Sequence, residues 1–343
     1  RSYGFSEGVL PTRIGEILMI TVEYVWLDGA GDMPQLRSKT RVFDKQHALA
    51  ELPEWSFDGG STYQGCVGDS DRTLKPVRLY KDPFSEGNYM VLCEVMNPEG
   101  APHTTNTRAL LAEMVGDNES MWFSFEQEYT LTDPMMQPLV PEEVTQGNFY
   151  CGVGAGNVIG RLVADEHLRN CYEAGITLFG TNAEVMISQW EYQTSPDGAL
   201  KASDDLWMSR YIAQKGSEKF NMRISYHPKL YPNLNGAGCH VNVSTTESRE
   251  DFTSELRDKY MDKLEKSHTK HIEEYGTGNE LRLTGEHETS KIDEFSWGVG
   301  DRSVSVRIPA HVEVAGKGYF EDRRPAATCD PYVVTARLIK TLS

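Results

Sequence analysis

The sequence predicts an α+β protein in which a small β-rich unit precedes a larger unit of mixed helix and strand. Three observations carry this. Short β-branched and aromatic runs fill the first hundred residues. A turn-rich segment, Asn97-Pro98-Glu99-Gly100-Ala101-Pro102, then interrupts the chain, and directly after it the apolar period changes from strand-like to helical. The boundary is placed there, dividing 1–102 from 103–343.

Residues 17–27 (ILMITVEYVWL) read as a strand closed by the turn signal Asp28-Gly29. Leu36–Phe43 returns as its hairpin partner after a loop of several residues. Val77–Tyr80 and Tyr89–Val95 are further short strands. Beyond the linker, Leu110, Leu111, Met114 and Val115 recur at helical spacing, with Asn106 as N-cap and Gly116 as stop. A second helix is expected over Arg161–Ala174, turning Leu162, Val163, Leu168, Cys171 and Tyr172 inward, with Gly175 past its end. A charged, solvated helix is expected over Phe252–Tyr275. The last helix is announced by Asp330-Pro331, an N-cap followed by proline at the first helical position.

The chain has 343 residues, 25% of them charged and 39% hydrophobic, which suits a globular enzyme able to bury a core without staples. A formal net charge of −17 argues against extended contact with nucleic acid or an anionic membrane. No run approaches the ~18 apolar residues of a membrane span. The six cysteines show no CxxC spacing and read as reduced thiols in the cytoplasm; a plastid home would require a removed leader. Two glycosylation triplets, at Asn118 and Asn242, are short enough to arise by chance.

Four segments carry chemistry. In Phe123–Leu131, Glu126 and Glu128 share one face of a strand while Phe125, Gln127 and Tyr129 share the other. Paired carboxylates repel unless a cation or solvent relieves them, so the alternative is an exposed acidic stripe. In Gly180–Tyr192, Glu184 and Glu191 lie among apolar and aromatic neighbours, where an unpaired carboxylate is costly. Their odd separation demands a bend or bulge if both meet one ion; buried salt bridges are the alternative. In Asn233–Ser244, the small residues permit close backbone approach, and the strand after Gly238 presents His240, Asn242 and Ser244 together. The fourth is a basic cluster of Arg282, Arg302, Arg307, Arg323 and Arg324 in an acidic chain, suited to gripping carboxylate and phosphate; Glu321 to Arg324 also fits a structural ion-pair network. Together, oxygen-rich ligands with one imidazole and several arginines point to Mg²⁺ or Mn²⁺ handling phosphate.

The ordered segments WSFDGGS (55–61), FEQEYTL (125–131), GTNAEVM and QWEYQ (180–193), NGAGCH (235–240), RLTGEHETS (282–290), SVRIP (305–309) and GYFEDRRP (318–325) closely resemble type II glutamine synthetases, over nearly the whole chain from about Tyr24. The resemblance implies a β-grasp-like N-terminal domain and a catalytic domain whose curved antiparallel sheet, flanked by helices, holds two or more metals. It implies ATP-dependent ligation of ammonium to L-glutamate through γ-glutamyl phosphate, in two stacked pentameric rings with shared active sites. Matched residue by residue, Glu126, His240 and Glu321 hold one metal, and Glu128, Glu184 and Glu191 the other. Arg302 and Arg307 face the ATP phosphates, with Arg302 close to both substrates. Arg282, Arg323 and the Asn235-Gly236 backbone grip glutamate. Asn242, Val243, Ser244, Tyr319 and Phe320 line the nucleotide site. Asp58 of the adjacent subunit takes the ammonium proton, with Ser61, Tyr150 and Glu191 completing that pocket, and Glu288 shields the acyl phosphate.

Gly156-Asn157, Ile187, Glu286 and the stretch Ala310–Ala315 depart from the family's usual residues, but none replaces a metal or phosphate residue. Two rivals stand beside this reading: a γ-glutamyl ligase for a larger amine, and a non-catalytic structural relative. A bare two-metal phosphohydrolase leaves the glutamate-binding segments unexplained.

Overall fold

The computed structural model describes residues 13–14, 17–31, 33–116, 120–139, 146–147 and 149–343. Contacts divide them into two units: one takes in the residues up to Ala109 with Arg169–Ile176, the other Leu110–Leu168 with Thr177–Ser343.

In the first unit, β1 (Ile20–Leu27), β2 (Leu36–Phe43), β3 (Trp55–Asp58), β4 (Asp71–Lys81) and β5 (Tyr89–Met96) form a sheet in the order β2-β1-β5-β4-β3. β1 and β5 pair in parallel at its centre; the other neighbours are antiparallel. Period-two residues Val22, Tyr24 and Trp26 meet Val91, Cys93 and Val95, with Leu52 and Leu74, in one core. The first loop closes on buried Asp28, whose carboxylate accepts from Gln35 N at 2.8 Å and Arg37 Nε at 2.9 Å. β4 is much longer than the run Val77–Tyr80, and its register slips between Pro76 and Arg78, where proline lacks a donor.

The second unit is built on β6 (Met121–Thr132), β7 (Leu178–Ala183), β8 (Gln189–Thr194), β9 (Arg223–Ser225), β10 (Cys239–Thr245), β11 (Trp297–Val299), β12 (Val306–Ile308) and β13 (Phe320–Asp322). The sheet path runs β11-β12-β13-β10-β6-β8-β7, with β9 also on β6. Its pairs are antiparallel except β11 with β12, so the antiparallel expectation holds for all but that edge.

Helix α1 (Thr107–Val115) starts where the sequence places it, Asn106 Oδ1 accepting from Ala109 N at 3.0 Å. Helix α2 (Arg161–Ala174) also falls as expected, but Leu162 and Tyr172 are 71% and 80% exposed rather than inward. The buried face is instead Val163, Ala164, His167, Asn170, Cys171 and Ala174. The single helix expected over 252–275 is two, α4 (Ser254–Lys266) and α5 (His268–Glu274), meeting at Ser267. Between β8 and β9 lies α3 (Ala199–Glu218), a helix with no amphipathic signal because it is buried nearly all round, polar residues included. Helix α6 (Pro331–Leu342) is capped by Asp330, which accepts from Tyr332 N at 3.0 Å. It packs on α3, where Tyr332 Oη donates to Asp204 at 2.7 Å.

Candidate active site

Strand pairing assembles the site. On β6, Glu126 and Glu128 face away from Phe125, Gln127 and Tyr129, which are buried behind them. The register sets Glu126 directly opposite His240 of β10, and Glu128 directly opposite Glu191 of β8. It also sets Glu321 of β13 between Asn242 and Arg307. Side chains facing each other across an antiparallel pair lie within roughly 5 Å, whatever their distance in sequence. Two groups result. In one, ligand atoms of Glu126, His240 and Glu321 lie within 4.8 Å of one another; in the other, those of Glu128, Glu184 and Glu191 do.

Glu184 and Glu191 meet through a hairpin rather than a bulge. The chain reverses between β7 and β8, Glu184 N donating to Gln189 O at 2.9 Å, and Ser188 takes the left-handed conformation at φ 68°. The reversal brings Glu184 to the side where Glu191 faces Glu128.

A cavity of ≈ 540 Å³ opens over these groups, lined by both glutamates of β6, Glu184, Glu191, His240 and the arginines 282, 302, 307 and 323. Tyr150, Asn235, Gly236 and Glu288 also line it. Burial raises the Glu184 carboxyl to about 7, helped by repulsion from Glu128. Burial, then Glu126, Glu128 and Glu184, push Glu191 well above the usual carboxylate range. Glu321 goes the other way: burial opposes its ionisation, but His240 and Arg323, followed by Arg307, hold it below that range. Its carboxylate accepts from Arg323 Nη1 at 2.6 Å and pairs with Arg307 Nε.

The arginines divide by strand alternation. Glu321 and Arg323 point to the site, while Asp322 and Arg324 are buried beneath it, joined by bonds of 2.7 and 2.8 Å. Arg324 is thus a structural ion pair, outside the cavity. Arg282 Nη2 is committed to the carbonyls of Arg323, Arg324 and Pro325 at 2.8–3.1 Å. The close approach permitted by the glycines is used within the site: a Cβ on Gly236 would meet Arg282 Cγ at 2.6 Å, and one on Gly238 would meet His240 Nε2 at 2.7 Å.

Several expected residues lie elsewhere. Val243 and Phe320 are core side chains, 0% and 1% exposed, and so cannot line a nucleotide site with their side chains. Asn242 donates to Glu126 at 2.8 Å, and Ser244 Oγ accepts from Arg249 at 3.1 Å. Tyr319, half-buried, lies by His311. Asp58 and Ser61 belong to the first unit. Exposed Asp58 accepts from Ser61 Oγ at 2.6 Å and Gly60 N at 3.0 Å, which lowers its pKa. Of the Asn118 triplet, Asn118 and Glu119 lie outside the described residues. Asn182, Gln189, Gln193, His287 and Thr289 also stand in the cavity wall; in the sequence, only their place inside the quoted segments marks them.

The donor set fits divalent cations. Five carboxylates and one imidazole are gathered in two groups, and burial together with mutual repulsion disfavours the charged forms of Glu184 and Glu191, a cost that hard cations would relieve. The adjacent arginines fit phosphate.

Comparison with known proteins agrees. Residues 19–98 match the family model described as "Glutamine synthetase, beta-Grasp domain", and residues 105–272 match "Glutamine synthetase, catalytic domain". The chain is 46% identical to the glutamine synthetases of Schizosaccharomyces pombe and Saccharomyces cerevisiae, with 94% of this chain covered and 92% and 89% of theirs. It is 45% identical to Drosophila melanogaster glutamine synthetase 1, mitochondrial, over 94% of this chain and 84% of that one. A solved structure of Plasmodium falciparum glutamine synthetase shares the fold with a TM-score of 0.74 at 18% identity, covering 94% of this chain and 71% of that one. The chain therefore belongs to the glutamine synthetase family, the ATP-dependent glutamate–ammonia ligases.

Proposed function

We propose that glutamine is made in the cavity over β6, β8, β10 and β13, with Glu126, His240 and Glu321 holding one divalent cation and Glu128, Glu184 and Glu191 a second. The observation that supports this best is the convergence of both acidic groups and four arginines on one cavity. Mg²⁺ or Mn²⁺, when bound, supplies positive charge to the phosphoryl oxygens.

The chain's own residues do the rest. Arg302 and Arg307 face the ATP phosphates and offset charge on the transferring group as the γ-carboxylate of glutamate attacks. Arg323, with the Asn235-Gly236 backbone, grips glutamate. Arg282 adds positive charge there, its Nη2 being occupied by carbonyls. The nucleotide lies toward Asn242, Ser244 and Tyr319. Glu288, whose carbonyl accepts from Arg323 at 3.3 Å, screens the acyl phosphate from water. Ammonia then displaces phosphate. Tyr150 and Glu191 form part of its pocket, with Ser61 and Asp58 supplied by an adjacent subunit. Asp58 takes the proton, and its hydrogen bonds favour the charged form this needs.

We place the domain boundary at 102/103, the assembly as two stacked pentameric rings and the location as cytoplasmic. No helix among the described residues is long and apolar enough to cross a membrane.

The test is phosphate release from ATP with Mg²⁺ and glutamate, with and without ammonium, alongside direct detection of glutamine. Ammonium-dependent release matched by glutamine is expected, and Glu128→Ala is expected to abolish it while leaving the assembly intact by light scattering. Full turnover in that variant would overturn the assignment of the second cation.

A further inference from the structure

Two amides in the cavity wall, Asn182 and Gln193, join the carboxylates of the second acidic group to each other. Gln193 Nε2 donates both to Glu191 Oε1 and to Asn182 Oδ1, the latter at 2.9 Å. Asn182 Nδ2 in turn donates to Glu184 Oε1 at 3.0 Å. As cation ligands both end carboxylates are ionised and only accept, so each NH₂ group points toward its carboxylate. The direction of every bond is thereby fixed.

The local fold is arranged for this. Asn182 lies directly opposite Glu191 in the β7–β8 register, and Gln193, two residues on, shares its face. Gly180 stands opposite Gln193, and a Cβ there would come within 3.3 Å of Gln193 Oε1. Glu184 lies beyond the end of β7, in the hairpin, where strand pairing does not fix its side chain. Its Oε2 accepts from the Val185 backbone N–H at 3.1 Å, and its Oε1 from Asn182, the bond that ties it to Glu191.

We infer that Asn182 and Gln193 are positioning residues: a two-amide relay that sets the separation and orientation of Glu184 and Glu191 as ligands for one divalent cation. This rests on the assignment of Glu128, Glu184 and Glu191 to a cation. The relay acts on that cation alone, since the other acidic group is supported separately by Asn242, which donates to Glu126 at 2.8 Å. Groups that orient metal ligands from behind typically contribute about 10–100-fold in metal affinity.

The experiment is Mn²⁺ binding to the full chain, followed by electron paramagnetic resonance and calorimetry. It compares wild type with Gln193→Met, Asn182→Leu, the double variant and Glu128→Ala. Thermal unfolding without metal checks that each variant is folded. Wild type should bind two classes of Mn²⁺, and Glu128→Ala should lose one. Gln193→Met and Asn182→Leu should each weaken that same class by about 10–100-fold and leave the other unchanged. Their effects should be non-additive in the double variant, because either change breaks one chain of bonds. If Glu128→Ala binds Mn²⁺ as wild type does, the cation assignment itself is wrong. If Glu128→Ala loses a class while folded Gln193→Met and Asn182→Leu keep wild-type affinity, the relay is wrong and the assignment stands. Weakening of both classes alike would also overturn the relay, showing a general loss of structure.

Discussion

Single atoms decide much at this site. Gly238 is the case that touches a metal-site ligand, since a methyl group there would sit 2.7 Å from His240 Nε2 and 3.3 Å from Arg282 Nη1. Gly238→Ala should push the imidazole from its place beside Glu126 and Glu321. A displacement of about 1 Å can cost on the order of 10²-fold in rate. Steady-state kinetics should show that fall in kcat, with far-ultraviolet circular dichroism unchanged; wild-type kcat would mean the imidazole has room to move. At this scale the sequence is partly legible. The facing of Glu126 and Glu128 follows from period-two geometry alone. That Arg323 serves the cavity while Arg324 is buried against Asp322 requires knowing which face of β13 is covered.

The decisive element is α3, which periodicity does not reveal. Its buried Arg210 donates from Nε and Nη2 to Gln127 Oε1 at 2.9 and 2.6 Å, and from Nη1 to Cys329 O at 2.9 Å. Gln127 stands between Glu126 and Glu128, so this guanidinium anchors the strand that carries both. Arg210→Met should leave those buried acceptors unmatched and destabilise the chain by roughly 3 kcal/mol, read as a lower denaturant midpoint. Two helical histidines make a second prediction. Burial lowers His167 of α2 to about 4 and His271 of α5 to about 3. Both stand below the unfolded value of about 6.5, so in acid the unfolded chain binds the extra protons. Their contribution to stability is full above pH ~6.5 and is lost as pH falls toward 4 and 3, at up to about 1.4 kcal/mol per pH unit each. The raised carboxyls of Glu184 and Glu191 act in the opposite sense over the same interval, so the histidine contribution is read by difference: between pH 7 and pH 5, urea unfolding of His271→Asn should lose less stability than that of wild type. Helices α1, α2 and α6 were legible from caps and glycine stops. The burial of α2 was not, because apolar spacing also fits the exposed Leu162 and Tyr172.

For the molecule as a whole, the net charge of −17 includes the acidic groups of the cavity. Cations that bind only the folded chain should stabilise it by about 2.7 kcal/mol at a hundredfold excess over Kd. Calorimetric scans should show a higher Tm with Mn²⁺ or Mg²⁺, reversed by a chelator and reduced in Glu128→Ala; an unchanged Tm would argue against metal at either group. The α+β class, the succession of motifs that marks the family, and the residue types the chemistry needs are all written in the linear chain. These are matters of local geometry and composition. The partners emerge only on folding: Glu126 opposite His240, Glu128 opposite Glu191, Glu184 turned back by a hairpin, Val243 and Phe320 withdrawn into the core. The reason is that sheet register, set by hydrogen bonding and burial across strands, brings side chains within contact irrespective of the chain between them.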